Sequence, residues 1–128
     1  MWARGLGPDS ASTIYTGRIK NDPVARELMA IGYFPAQISR KIAGIELTGD
    51  EYDKLQKVSG VLTRQALDKV MKLDNWPTYT SDARAKIARD VVNATRERAR
   101  NYVVMSEKGL QERIKAAALE RRRRINGE

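Results

Sequence analysis

The sequence predicts an all-α protein: a helical hairpin or small irregular helical bundle, with an extended N-terminal arm and a basic C-terminal helix. Three observations point there. Helix-start signals recur, first at Asp22-Pro23 and then at Thr48-x-x-Glu51. Apolar residues return at spacings of three and four between those signals. Breakers such as Gly32, Pro35, Asn75 and Pro77 fall between the periodic runs.

Residues 1–21 hold Gly5, Gly7, Pro8 and Gly17 with several Ser and Thr, and no period persists there. They are expected to form an arm that becomes ordered on a partner. A helical core is expected over 22–105 and a basic helix over 106–128. The core opens with a short helix in "NDPVARELMAIG". Asp22 can cap it, Pro23 suits its first position, and Gly32 suits its end. Val24, Leu28 and Ile31 share one face. In "YFPAQISRKIAG", Pro35 biases Phe34 away from helix, leaving a helical turn over 36–43 or an extended clasp. "GIEL" then reads as linker, with Ile45 and Leu47 turned onto a neighbour.

A stronger helix starts at Thr48, where Thr48 and Glu51 match a capping box. Asp50 and Glu51 also suit the positive end of the helix dipole, so the acidic head has a local cause. Leu47 and Tyr52 are placed for a hydrophobic staple, with Tyr52, Leu55 and Val58 or Ser59 facing inward. Gly60 is expected to end or kink this helix. Beyond it Leu62, Ala66, Val70 and Leu73 align, flanked by Leu67 and Met71. "DNWPTYTSD" is a turn, after which Thr80 or Ser81 caps a helix over 82–105. Its face is expected to carry Ala83, Ile87, Val91, Ala94 and Arg98, with Ala88, Val92, Ala99 and Tyr102 beside them. The last helix is expected from near Ser106 or past Gly109, with Leu110, Ile114, Ala117 or Ala118, and Ile125 inward.

Composition removes whole classes of chemistry. The 128 residues include no Cys and no His, so disulfides, thiolate or imidazole metal sites and histidine-based triads are excluded within this chain. The apolar fraction is 41%, enough for one modest core built from aliphatic residues. No run of about 18 apolar residues offers a membrane span. The opening stretch has no apolar region of the secretory kind, so no such signal is expected. Asp50, Glu51 and Asp53 form the one acidic cluster open to a hydrolase or nuclease reading, and capping accounts for two of them. The expectation is therefore a protein that is not an enzyme and carries no cofactor.

The positive charge is uneven. Residues 84–124 contain 13 Lys and Arg against 5 Asp and Glu, whereas residues 1–83 contain 11 against 10. Arg113, Lys115, Arg121, Arg122, Arg123 and Arg124 are the candidate contacts to nucleic acid or an acidic partner. A solvated helix end complementing its own dipole is the competing reading. No aromatic residues interleave with these cations, so stacking on single strands is not expected. Tyr33, Phe34, Trp76 and Tyr79 flank prolines and are candidates for docking a partner, and Trp76 and Tyr79 are also placed to seal one end of the hairpin.

Part of the chain resembles a family. Leu47-Thr48, Glu51-Tyr52-Asp53, Gly60, Ala66-Leu67-Asp68, Trp76-Pro77 and the Arg-rich run from Arg96 to Arg100 follow one another in order. That succession is similar to the C-terminal helical region of very large bacteriophage internal virion, or ejection, proteins. The similarity covers about residues 36–104, and those proteins are many times longer than this chain. The resemblance implies a structural role in a virion with no catalytic residues to transfer. It implies portal, tail or other internal proteins as partners, double-stranded DNA as a possible ligand, and homo-oligomeric assembly in the particle. The alternative is a small helical protein that binds nucleic acid without sequence preference.

Overall fold

The computed structural model describes residues 22–127. They form a small all-α bundle with one short β-hairpin: α1 Pro23–Ala30, β1 Lys41–Ile42, β2 Ile45–Glu46, α2 Gly49–Met71, a 3-10 turn Trp76–Thr78, α3 Ser81–Ser106 and α4 Lys108–Asn126. The predicted arm over residues 1–21 lies outside the described residues.

α1 is built as its sequence signals imply. The Asp22 carboxylate accepts from the amides of Val24 and Ala25, Pro23 occupies the first turn, and Gly32 takes the left-handed conformation just past the end. Asp22 also receives the Arg64 guanidinium from α2, so one carboxylate caps α1 and pins it to the hairpin. Burial by itself would raise the Asp22 pKa, but Arg64 and the two amides outweigh it and hold the carboxyl below its ordinary value.

The segment after α1 is extended and not helical. Pro35 keeps Phe34 out of helix, and the chain then turns through Ala43 and Gly44, whose φ values are 52° and 79°. Two successive positive φ angles are what a two-residue I′ hairpin turn requires. Ile42 pairs with Ile45 and Lys41 with Glu46 in antiparallel register. Ile45 and Glu46 of the expected linker "GIEL" therefore form a short strand. Its turn escaped the sequence because Ala43 stands where Asn or Gly normally announces one.

α2 opens with the full capping box. Thr48 Oγ1 accepts from the Glu51 amide at 3.2 Å, and Glu51 Oε1 accepts from the Thr48 amide at 2.9 Å. The helix runs through Gly60 without ending. Packing along both flanking turns outweighs the roughly 1 kcal/mol that glycine costs in a helix. α3 begins under a Thr80 cap. The inward stripe of α2 is Leu55, Ser59, Thr63 and Leu67, which corrects the expected line Leu62, Ala66, Val70 and Leu73 by about one position. The α3 stripe is Ala88, Val92, Thr95, Ala99 and Val103, so Ala94 and Arg98 turn outward.

Two apolar clusters result. One joins α1 to Leu67, Trp76, Ala88 and Val92; the other joins Ile38, Ile42, Leu47, Tyr52, Leu55, Ala99 and Val103 to Leu110 of α4. A polar belt of Ser59, Thr63 and Thr95 lies on the seam between them. Thr95 Oγ1 donates toward the Val91 and Val92 carbonyls, which leaves Thr63 as donor to Thr95 across 2.7 Å. Ser59 Oγ is buried with no hydrogen-bond partner among the described residues.

Opposite outcomes are expected for two neighbouring substitutions. Leu67→Ala removes a fully buried side chain and should cost about 2–5 kcal/mol in urea unfolding. Ser59→Ala removes an unsatisfied hydroxyl and should be neutral or stabilising by up to about 1 kcal/mol. Ala43→Asn suits the exposed left-handed turn and should stabilise the fold by roughly 0.5–1 kcal/mol in the same measurement.

Candidate nucleic-acid or acidic-partner interface

α4 starts after a one-residue break. Glu107 is extended (φ −115°, ψ 96°), ending α3 and opening α4 at once. The Gln111 side-chain amide donates to the Val104 and Met105 carbonyls at 2.8 and 3.1 Å, satisfying the open end of α3. Leu110 is buried in the second cluster and Ile114 packs at its edge. Past Ala117 every described residue of α4 is exposed, including Leu119 and Ile125. The expected inward place for Ile125 is corrected, because that part of the helix has no body beneath it. Residues 118–126 thus form a free rod about 14 Å long.

That rod carries Arg121, Arg122, Arg123 and Arg124 on successive steps of about 100°, so they surround the helix. Glu120 lies 3.9 Å from Arg123 and 3.8 Å from Arg124, long contacts between exposed groups that neutralise little. Arg121 and Arg122 have no ion-pair partner among the described residues. Gly127, left-handed at φ 76°, stops the helix, and Arg123 and Arg124 stand in its last turn where cations suit the dipole. Lys115 is exposed on the side of α4 nearer the body.

Arg113 is different, and its place among the free cations is corrected. Its guanidinium donates to both oxygens of Glu51, at 3.1 and 2.5 Å. Glu51 is 6% exposed and already closes the α2 capping box, so one buried carboxylate ties the start of α2 to the root of α4. Lys54 and Glu107 add a second tie at 2.8 Å. The fork of hydrogen bonds from Arg113, then the Thr48 contacts, hold the Glu51 carboxyl below its usual pKa against the opposing effect of burial.

The aromatic candidates do not form one docking patch. Trp76 is 5% exposed, with its indole N–H donated to Glu27 at 2.9 Å and the Arg84 guanidinium 5.8 Å from its ring. It is a core residue and not a docking residue, because the turn folds it back over α1. Tyr33 is half-buried against the same cluster, and burial raises its pKa. Phe34 is exposed. Tyr79 is at the surface, where its hydroxyl accepts from Asn75. Sequence reasoning missed the Glu51–Arg113 clasp because those residues are 62 positions apart and only the fold of α4 onto α2 joins them.

Compared with family models, with curated proteins and with solved structures, the chain has no match. Among the described residues no cluster of three or more potential ligands could hold a metal ion, and no helix is long and apolar enough to cross a membrane.

The clasps make acid stability predictable. Asp22 and Glu51 both have folded-state pKa values below their unfolded ones, so their contribution is complete above about pH 4.3 and is lost as pH falls through the lowered values. The thermal midpoint should hold steady from neutrality to about pH 4.5 and then drop. Glu51→Gln should lower the midpoint at neutral pH and make the acid drop shallower, both read by circular dichroism.

Proposed function

We propose that this chain is a non-enzymatic structural component of a bacteriophage virion, of the internal, ejection or portal–tail kind. It assembles by helix packing, and the arginine-rich end of α4 contacts DNA or an acidic neighbour. The observation that carries the reading is the free rod of α4, with four arginines around its circumference and no body behind them. A solvated helix end needs no such excess of cation beyond its dipole, whereas a polyanion approached from any side meets a guanidinium. The virion setting is supported by the resemblance over residues 36–104. The non-enzymatic reading is supported by the two buried carboxylates, Asp22 and Glu51, each of which is already occupied by a cap and an arginine.

Contacts of this type read the backbone of the nucleic acid and not its bases. With about four phosphates neutralised, affinity for duplex DNA should fall on the order of 10²-fold between 50 and 200 mM salt. Replacing Arg121 to Arg124 by alanine should weaken binding at every sequence and flatten the log–log salt slope by about 3–4. Mass spectrometry of purified particles should find the chain inside them. DNA binding by a chain absent from particles would favour the second reading, a small sequence-nonspecific nucleic-acid-binding protein. Affinity indifferent to salt and to the four arginines would overturn the second reading and the DNA contact of the first, and absence from particles would overturn the first.

A further inference from the structure

We propose that the flank of the α2–α3 hairpin left open by the described residues is a docking groove for an acidic amphipathic helix of another protein. The groove is separate from the arginines of α4, and this inference does not rest on what they bind.

A helical hairpin has two broad flanks, and the described residues cover one of them. Arg96 of α3 donates to the Ala36 carbonyl, and Tyr33 packs onto the first core cluster, so the extended segment after α1 lies along the Arg96 side. Arg98 is about 200° further round the helix, on the opposite flank. There a groove of about 520 Å³ is lined by Lys57, Val58, Val61, Leu62, Arg98 and Tyr102. Val61 and Tyr102 are more than half exposed. Val58 and Leu62 reach from the groove floor to the second core cluster. Met105, 79% exposed and one turn beyond Tyr102, carries the apolar surface on toward α4. Apolar side chains at this spacing between two helices are what the ridge of a third helix fills.

The lining states the charge of the occupant. It holds two cations and no carboxylate. Arg98 has no ion-pair partner among the described residues. Lys57 has only Asp53, one turn away, with both groups more than half exposed and weakly bound. A helix with apolar residues at i, i+3, i+4 and i+7 and Glu or Asp on its flanks would satisfy both the floor and the rim. A second copy fits poorly. The chain carries a net charge of +8, and its one projecting helix ends in Arg121 to Arg124, which would meet Lys57 and Arg98 with like charge.

The test uses the full chain with Arg121 to Arg124 changed to alanine, so that α4 cannot capture an acidic probe. The probes are two labelled helical peptides of about 18 residues (five turns), identical in their leucine stripe, one with Glu flanks and one with Lys flanks. Fluorescence anisotropy should show the Glu peptide binding at least about tenfold tighter than the Lys peptide. Val61→Asp should weaken the Glu peptide by about tenfold or more, and Arg98→Glu should remove or reverse the preference between peptides. Both side chains are exposed, and unchanged circular dichroism would confirm that each variant is folded. No binding of the Glu peptide, equal binding of the two, or indifference to Val61→Asp would overturn the proposal. So would light scattering that shows a dimer split by Val61→Asp, since the groove would then be a self-interface.

Discussion

The seam between α2 and α3 is the constraint on which the rest of the molecule depends. Alanines and β-branched residues line α3 along it, and Leu55 and Leu67 of α2 close its two ends. Small side chains on one helix let the other approach closely, and the leucines then fill what remains. Between them the Thr63–Thr95 hydrogen bond fixes the register in a way that apolar contacts alone do not, because sliding one helix past the other would take the buried Thr63 hydroxyl away from its acceptor. Each end of the seam receives a different cover: α1 at one, the β-hairpin and the root of α4 at the other.

Charge holds those covers in place. Asp22 and Glu51 act alike: each carboxylate caps a helix and receives an arginine from a distant segment, Arg64 for one and Arg113 for the other. A buried carboxylate is costly unless all its hydrogen bonds are made, and here caps and guanidinium forks make them together. The same two groups that start helices therefore place α1 on the hairpin and set the direction in which α4 leaves it. The acidic head of α2, out of place in a basic protein at first sight, is the anchor of its most basic element.

What remains after folding is a surface with two distinct characters. Arg121 to Arg124 of α4 stand past the last apolar contact, beyond the reach of internal carboxylates. The opposite flank of the hairpin keeps valine, leucine and tyrosine in a shallow groove rimmed by Lys57 and Arg98. In the two proposals made above both surfaces meet other macromolecules, one through charge alone and one through shape with charge at its edge.

Much of the fold was legible in the residues. Asp22-Pro23, Thr48-x-x-Glu51 and Thr80 named the helix starts, since a cap satisfies its own backbone amides within a few residues and needs no help from afar. The arginine run and its place near a helix end were equally plain. The I′ turn at Ala43-Gly44 was not, because Ala43 stands at its first position in place of Asn or Gly and the turn is held by the packing of Ile42 and Leu47. The faces of α1 and of the start of α2 were read correctly, whereas the second half of α2 and α3 were read about one position off, because Thr63 and Thr95 put polar atoms on the inward stripe and the apolar period pointed beside it. Which arginines are bound and which are free among the described residues was decided only by the tertiary structure: Arg113 and Arg122 look alike in the chain, and they differ because the fold brings Glu51 to one and no described carboxylate to the other. Local hydrogen bonding is written in neighbouring residues, whereas charge pairing across 62 positions exists only once the helices are packed.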